Sequence, residues 1–386
     1  MPLDRREFFA AAMAASAVAC QSKLEEASSK QAAATASSSS ASGSKLGIPG
    51  PYPGRVVEVR HPGSIIEGVF QAEPIQQMVD KGMLELTHAE TPAEAWKEFF
   101  EPGDVVGIKL NPVGQPHVKG SAECVRAIIA GLESAGVKRQ DIVAYDRYHD
   151  QFLNAEFDKW LPEGVRWMSA SEKYLNVQMD MDGYDRDVYM EMPLVNPEYA
   201  PEFNLDDSHV RRSYVCNFMT KEVNKVINLC LLKHHQSAGV TLALKNLSHG
   251  FTNNVNRSHA STTANACGLF IPAVVDLPIF REKVVLNILD GVKAAYHGGP
   301  GPTVGLYAWE HKTMYFATDP VALDKTGWKA IDAKRVEVGR LPIALMKPDE
   351  HSNWLNGQVE HIELAGNFGL GVFDDEKIRV KRIDLA

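Results

Sequence analysis

The chain has 386 residues, 45% of them hydrophobic and 23% charged, with a formal net charge of −9. An acidic chain without basic runs argues against electrostatic binding to nucleic acid or to anionic lipid. Its five cysteines include no C-x-x-C pair, which argues against a zinc ribbon or a chain-encoded iron–sulfur cluster.

The first element is a targeting signal. Arg5 and Arg6 precede a short, alanine-rich apolar run that ends at Ala19, the pattern of a twin-arginine export segment spanning residues 1–20. The run falls short of the ~20 residues a membrane-spanning helix needs. Ala17-Val18-Ala19-Cys20 resembles a lipoprotein processing site, so Cys20 is the candidate lipidation residue and its lipid the only expected membrane contact. Residues 21–45 are mainly Ser, Ala, Lys and Glu, which predicts a disordered tether. The expected partners are the twin-arginine export machinery and a small anionic ligand, and the expected location is the periplasm or cell envelope.

Residues 46–386 read as an α/β domain with a mostly parallel sheet flanked by helices. Thr91-Pro92-Ala93-Glu94 has the form of a capping box and opens a short helix. Asp104 to Leu110 is an apolar run bounded by turn residues, and reads as a buried strand. Ser121 then caps a helix, and Asp141 to Tyr145 forms a second strand, an order that points to a parallel sheet. Residues 150–212 break the rhythm and read as an irregular insertion or cap. Strands resume at Val223 to Leu232, at Val284 to Leu289 and at Met314 to Ala317, with a helix near Gly239 to Leu247 and another opened by Asp319-Pro320.

Ligands of open parallel sheets bind beyond the carboxyl ends of the strands. Lys109 and Asn111 close the first strand, and Lys233-His234-His235 follows the apolar run VINLCLL. Neighbouring side chains on extended backbone point to opposite sides, so one of the two histidines is expected to face a site. In the next helix, Thr241, Lys245 and His249 recur every four residues on one face, and its free N-terminal N–H groups suit an anion. Asn246 adjoins that face. Asp290 ends the strand VVLNIL and, with His259 in a polar loop, is a candidate metal ligand. Gly298 and Gly299 lie in a Gly/Pro loop that lets backbone approach a ligand. Asp324 puts a carboxylate on the apolar face of its helix, where Lys245 or Lys109 is the expected partner.

The motifs IKLN (from Ile108), GVTLALKN (from Gly239), LDGV with GGPGPTVG, and ATDPVALD (from Ala317) resemble the bacterial and archaeal family catalogued as domain of unknown function 362. The resemblance runs from about Val105 to Gly371. It implies no particular reaction, and the ferredoxin-type cysteine clusters of some relatives are missing from this sequence.

The expected function is that of an extracytoplasmic enzyme acting on a small anionic substrate by proton transfer, as an isomerase or racemase does. Lys109, Lys233, His235, Lys245 and Asp324 form its candidate catalytic set, and Asn111, Thr241, Asn246, Gly298 and Gly299 its ligand contacts. No serine or cysteine nucleophile with a recognisable base stands out. Two other readings remain open: a redox protein carrying a metal or preassembled cofactor, and a non-catalytic lipoprotein that binds an anion or a partner.

Overall fold

Strongly apolar segments with side chains alternating between two faces become the strands of the domain, and both faces of the sheet they form are buried. A computed structural model describes residues 45–175, 177–194, 207–259, 265–352 and 359–386. The export segment, Cys20 and the tether up to residue 44 lie outside the described residues. No helix among the described residues is long and apolar enough to cross a membrane.

The elements begin with β1 (Arg55–Arg60), β2 (Ile65–Ile66), β3 (Val69–Phe70), α1 (Ala72–Thr87) and α2 (Pro92–Lys97). They continue with β4 (Val106–Lys109), α3 (Ala122–Ser134), β5 (Ile142–Tyr145), α4 (His149–Asn154) and β6 (Arg166–Met168). Next come β7 (Tyr184–Glu191), β8 (Arg212–Cys216), β9 (Lys225–His235), β10 (Gly239–Val240) and α5 (Leu242–Phe251). The rest are α6 (Cys267–Val275), α7 (Pro278–Lys283), β11 (Val284–Ala295), β12 (Ala308–Trp309), β13 (Thr313–Ala317), α8 (Pro320–Glu337), α9 (Glu360–Asn367) and β14 (Arg379–Asp384).

The main sheet runs β14-β1-β13-β11-β9-β4-β5-β6. Its neighbours are parallel except where β13 pairs antiparallel with β1 and β11. The fold is therefore α/β, with a mostly parallel sheet and flanking helices. On one face, Cys230 and Leu232 of β9 pack with α5, α6 and α8; on the other, Ile227 and Leu229 pack with α1 and α3. Between residues 150 and 212, Arg166–Met168 joins the sheet as its edge strand, and β7 pairs with β8 in a separate ribbon.

Local capping follows the residue chemistry. Thr91 and Glu94 form the reciprocal box at α2, Ser121 accepts the Cys124 N–H at α3, and Asp319 accepts the Val321 and Ala322 N–H groups at α8. Two strands run longer than the sequence suggests. β9 continues through Lys233-His234-His235, and β11 continues to Ala295, which leaves Asp290 inside a strand and not at its end.

Candidate functional site

The carboxyl ends of β4, β5 and β9 open into a cavity of about 430 Å³, closed on one side by α5. Lys109, Lys233, His235 and Lys245 all line it, with Asn111, Thr241, Asn246 and His259. Residues far apart in the chain meet here because each of the three strands ends in polar side chains on the same edge of the sheet.

Lys109 is buried and pairs with Asp146 at 2.7 Å. Its ammonium also donates to the Leu110 carbonyl, and it approaches Asn246 Oδ1 at 3.4 Å. α5 passes directly over it: a Cβ on Gly250 would stand 2.2 Å from Lys109 Cε, so any larger residue there must displace the lysine. Asp146 and Arg147 follow β5 as Lys109 closes β4. Both line the cavity, yet sequence reasoning passed over them. The signal was available, since they are the first polar residues after an apolar run. The Arg147 guanidinium is fixed by Tyr184 Oη, the His249 carbonyl and Gln178 Oε1, and stacks over Tyr148.

Lys233 donates to Asn111 Oδ1 at 3.3 Å and to the Val113 carbonyl. Burial, with Lys245 and Lys109 nearby, lowers its pKa to about 7. The Lys245 ammonium makes no hydrogen bond or ion pair among the described residues, and burial lowers its pKa to about 8. Beneath them runs a row of buried amides. Asn111 Nδ2 donates to Asn246 Oδ1 at 3.0 Å, Asn246 to Asn228 at 2.7 Å, Asn228 to Asn287 at 2.9 Å, and Asn287 to the Thr318 carbonyl at 3.0 Å.

One histidine of the pair faces the site. His235 lines the cavity, whereas His234 turns toward His297, with ring centroids 5.1 Å apart. His235 Nδ1 accepts the N–H groups of Ser237 and Ala238, each at 3.2 Å. The neutral ring therefore carries its proton on Nε2. Burial holds its pKa well below the usual histidine range, with Lys245 adding to the effect.

Several expected roles are corrected. Asp324 does not hold a lysine: it is fully buried beneath α5 and accepts the N–H groups of Ala243 and Leu244 at 2.7 and 2.9 Å. The N-terminus of α5 is therefore already capped by a carboxylate and offers these donors to no anion. That cap also steadies the turn into the helix, where Leu242 has φ 44°. Asp290 does not line the cavity and does not join His259; its Oδ1 accepts the Val292 N–H, its Oδ2 finds no partner among the described residues, and burial raises its pKa to about 6. Gly298 and Gly299 also stay outside the cavity lining, which their loop reaches through Pro300. Gly299 is packed so closely on β9 that a Cβ would meet the His234 carbonyl oxygen at 1.8 Å. His259 lies instead beside His249 and Cys267. Thr241 lines the cavity with its hydroxyl unbonded among the described residues.

In charge, the cavity gathers Lys109, Arg147, Lys233 and Lys245 against Asp146, the one carboxylate among its described lining residues. Such an excess suits an anion.

Residues 106–329 match the family model described as Domain of unknown function (DUF362). No curated protein matches the chain. A solved structure described as loganic acid methyltransferase with SAH aligns with 77% of this chain and 70% of its own at 10% identity, with a TM-score of 0.25 that carries no argument.

Proposed function

Because the chain belongs to that family, whose description names no activity, we propose its function from the site: an enzyme that moves a proton on a small anionic substrate, as an isomerase or racemase does. The observation that carries this reading is Lys245, buried in a cation-rich cavity with no partner for its ammonium among the described residues. A buried charge without a counter-ion is costly, and an anionic ligand supplies one.

Each role follows from the hydrogen bonds. Lys245 and Arg147 attract the anion. Lys233 is half neutral near pH 7; as an amine it has two N–H groups, matched by Asn111 Oδ1 and the Val113 carbonyl. Its lone pair is then free to take a proton from carbon next to a carboxylate. With Nδ1 occupied by backbone donors, His235 gives a hydrogen bond from Nε2 to the oxygen on which charge develops, and is not itself the base. The Lys233 ammonium then gives a proton back either to the neighbouring carbon of the enolised substrate, which completes an isomerisation, or to the opposite face of the same carbon once the planar intermediate has turned over, which completes a racemisation. The export signal read from Arg5 and Arg6 supports placing this chemistry outside the cytoplasm, with Cys20 as the lipid attachment point.

Small chiral α-hydroxy and α-amino carboxylates incubated with the full chain in deuterium oxide test the proposal. Exchange at the α-carbon that disappears in Lys233→Met is the expected result. Binding of these anions that depends on Lys245, without exchange on any of them, would sink the catalytic reading and leave a binding protein.

A further inference from the structure

We propose that His249, His259 and Cys267 bind one borderline divalent transition metal ion, zinc being the best match, with a coordination position left open toward the cavity. One ligand atom from each of the three lies within 4.8 Å of the other two. They come from separate elements: His249 from the last turn of α5, His259 from the turn after Asn256–Ser258, and Cys267 from the first residue of α6. Two imidazoles and a thiolate are a zinc donor set, and zinc sites with three protein ligands keep the fourth position for water or substrate. His249 and His259 line the cavity, so that position faces the bound anion.

The Ser258 hydroxyl marks the point on which the donors converge. Its oxygen lies 3.0 Å from His249 Nε2, 3.5 Å from His259 Nδ1 and 3.7 Å from Cys267 Sγ. Ser258 donates its own proton to the Val255 carbonyl at 2.7 Å, so toward the three donors it presents lone pairs. Metal bonds of about 2.0–2.3 Å require the donors to close in slightly from their present separations, a change that side-chain rotation supplies. Nearby, on α9, which packs against α6, His361 is fully buried and neither ring nitrogen is hydrogen-bonded among the described residues. This corner therefore holds more imidazole than its hydrogen bonds employ. A metal here would polarise an oxygen of the anion.

Metal binding is measured without a substrate, so the inference does not depend on the proton-transfer reading. The full chain is stripped with a chelator and dialysed against zinc or cobalt(II). One equivalent per chain is expected by elemental analysis, and the cobalt protein should show the visible bands of a four-coordinate site with a near-ultraviolet thiolate band. Cys267→Ser should abolish the thiolate band, and both it and His259→Asn should lower zinc affinity more than roughly tenfold. His259 is half-buried, so its variant disturbs folding least; unchanged circular dichroism with lost affinity attributes the loss to ligation. Absence of stoichiometric metal on the parent chain, or parental affinity in both variants, overturns the proposal. Anion binding by the metal-free protein is followed alongside, so failure of the metal site and failure of the anion site are separate results.

Discussion

The Leu244 N–H donates to the Asp324 carboxylate at 2.9 Å, and through that bond helix α8 fixes the start of the helix that carries Lys245. Removing the carboxylate in Asp324→Ala leaves two buried N–H donors unmatched. The expected loss is about 3 kcal/mol of stability, read from urea unfolding midpoints. Asp324→Asn keeps one acceptor and should lose about half as much. Anion affinity should fall in both variants, because Lys245 is the next residue along the helix.

The pH dependence of stability should carry the mark of the buried lysines. In the folded chain Lys233 titrates near 7 and Lys245 near 8, both displaced downward by burial, against about 10.4 in the unfolded chain. Between those values the unfolded state binds more protons, so stability rises with pH from about 7 to about 10. Lys233→Met should be more stable than the parent at pH 7 and show a shallower slope across that window. A parent curve that is flat there would contradict the burial of these groups.

Binding of a small carboxylate should follow the same lysines in the opposite direction. As pH rises through 7 and 8 they lose charge, and affinity should drop. Lys245→Met should remove most of that dependence, and Lys245→Arg should keep affinity while extending it to higher pH, because arginine stays protonated. Calorimetric titrations with one carboxylate across the pH range decide between these outcomes.

Gly250→Ala tests how closely α5 presses on the site. Its new methyl group would displace Lys109 Cε and with it the ion pair to Asp146. A loss of about 1–3 kcal/mol is expected from the overpacking, with a larger fractional loss of activity than of stability. Thermal melts and the exchange assay measure the two effects.

His361→Leu should hold stability or raise it by about 1 kcal/mol, because a side chain of similar volume remains while two nitrogens with no hydrogen-bond partner among the described residues leave a buried position. A lower midpoint would show that His361 has a bonding role.

The sheet and much of the site were legible because both rest on local pattern. Lys109, Lys233 and His235 stand at the boundary between apolar run and polar segment, and the sheet places such boundaries along one edge. Asp146 and Arg147 carried the same signal after the four-residue strand Ile142–Tyr145. Asp290 was misplaced because β11 crosses the polar pair Asp290-Gly291 and continues to Ala295, which alternation alone does not announce. The apolar face of α8 revealed that Asp324 is buried but not what it meets, since its partners are backbone groups 80 and 81 residues away. The meeting of Cys267 with His249 and His259 is likewise set by how α6 packs on α5.

The row of asparagines under the cavity has a polarity that cannot be altered piecemeal. The Thr318 carbonyl can only accept, so Asn287 must present its nitrogen to it and its oxygen to Asn228. The same constraint passes to Asn246 and then to Asn111, whose oxygen is thereby turned toward Lys233. At the other end the Val113 N–H, which can only donate, enforces the same direction. Four amides thus transmit a choice of orientation across three strands, and the acceptor that steers Lys233 is set on the far side of β11.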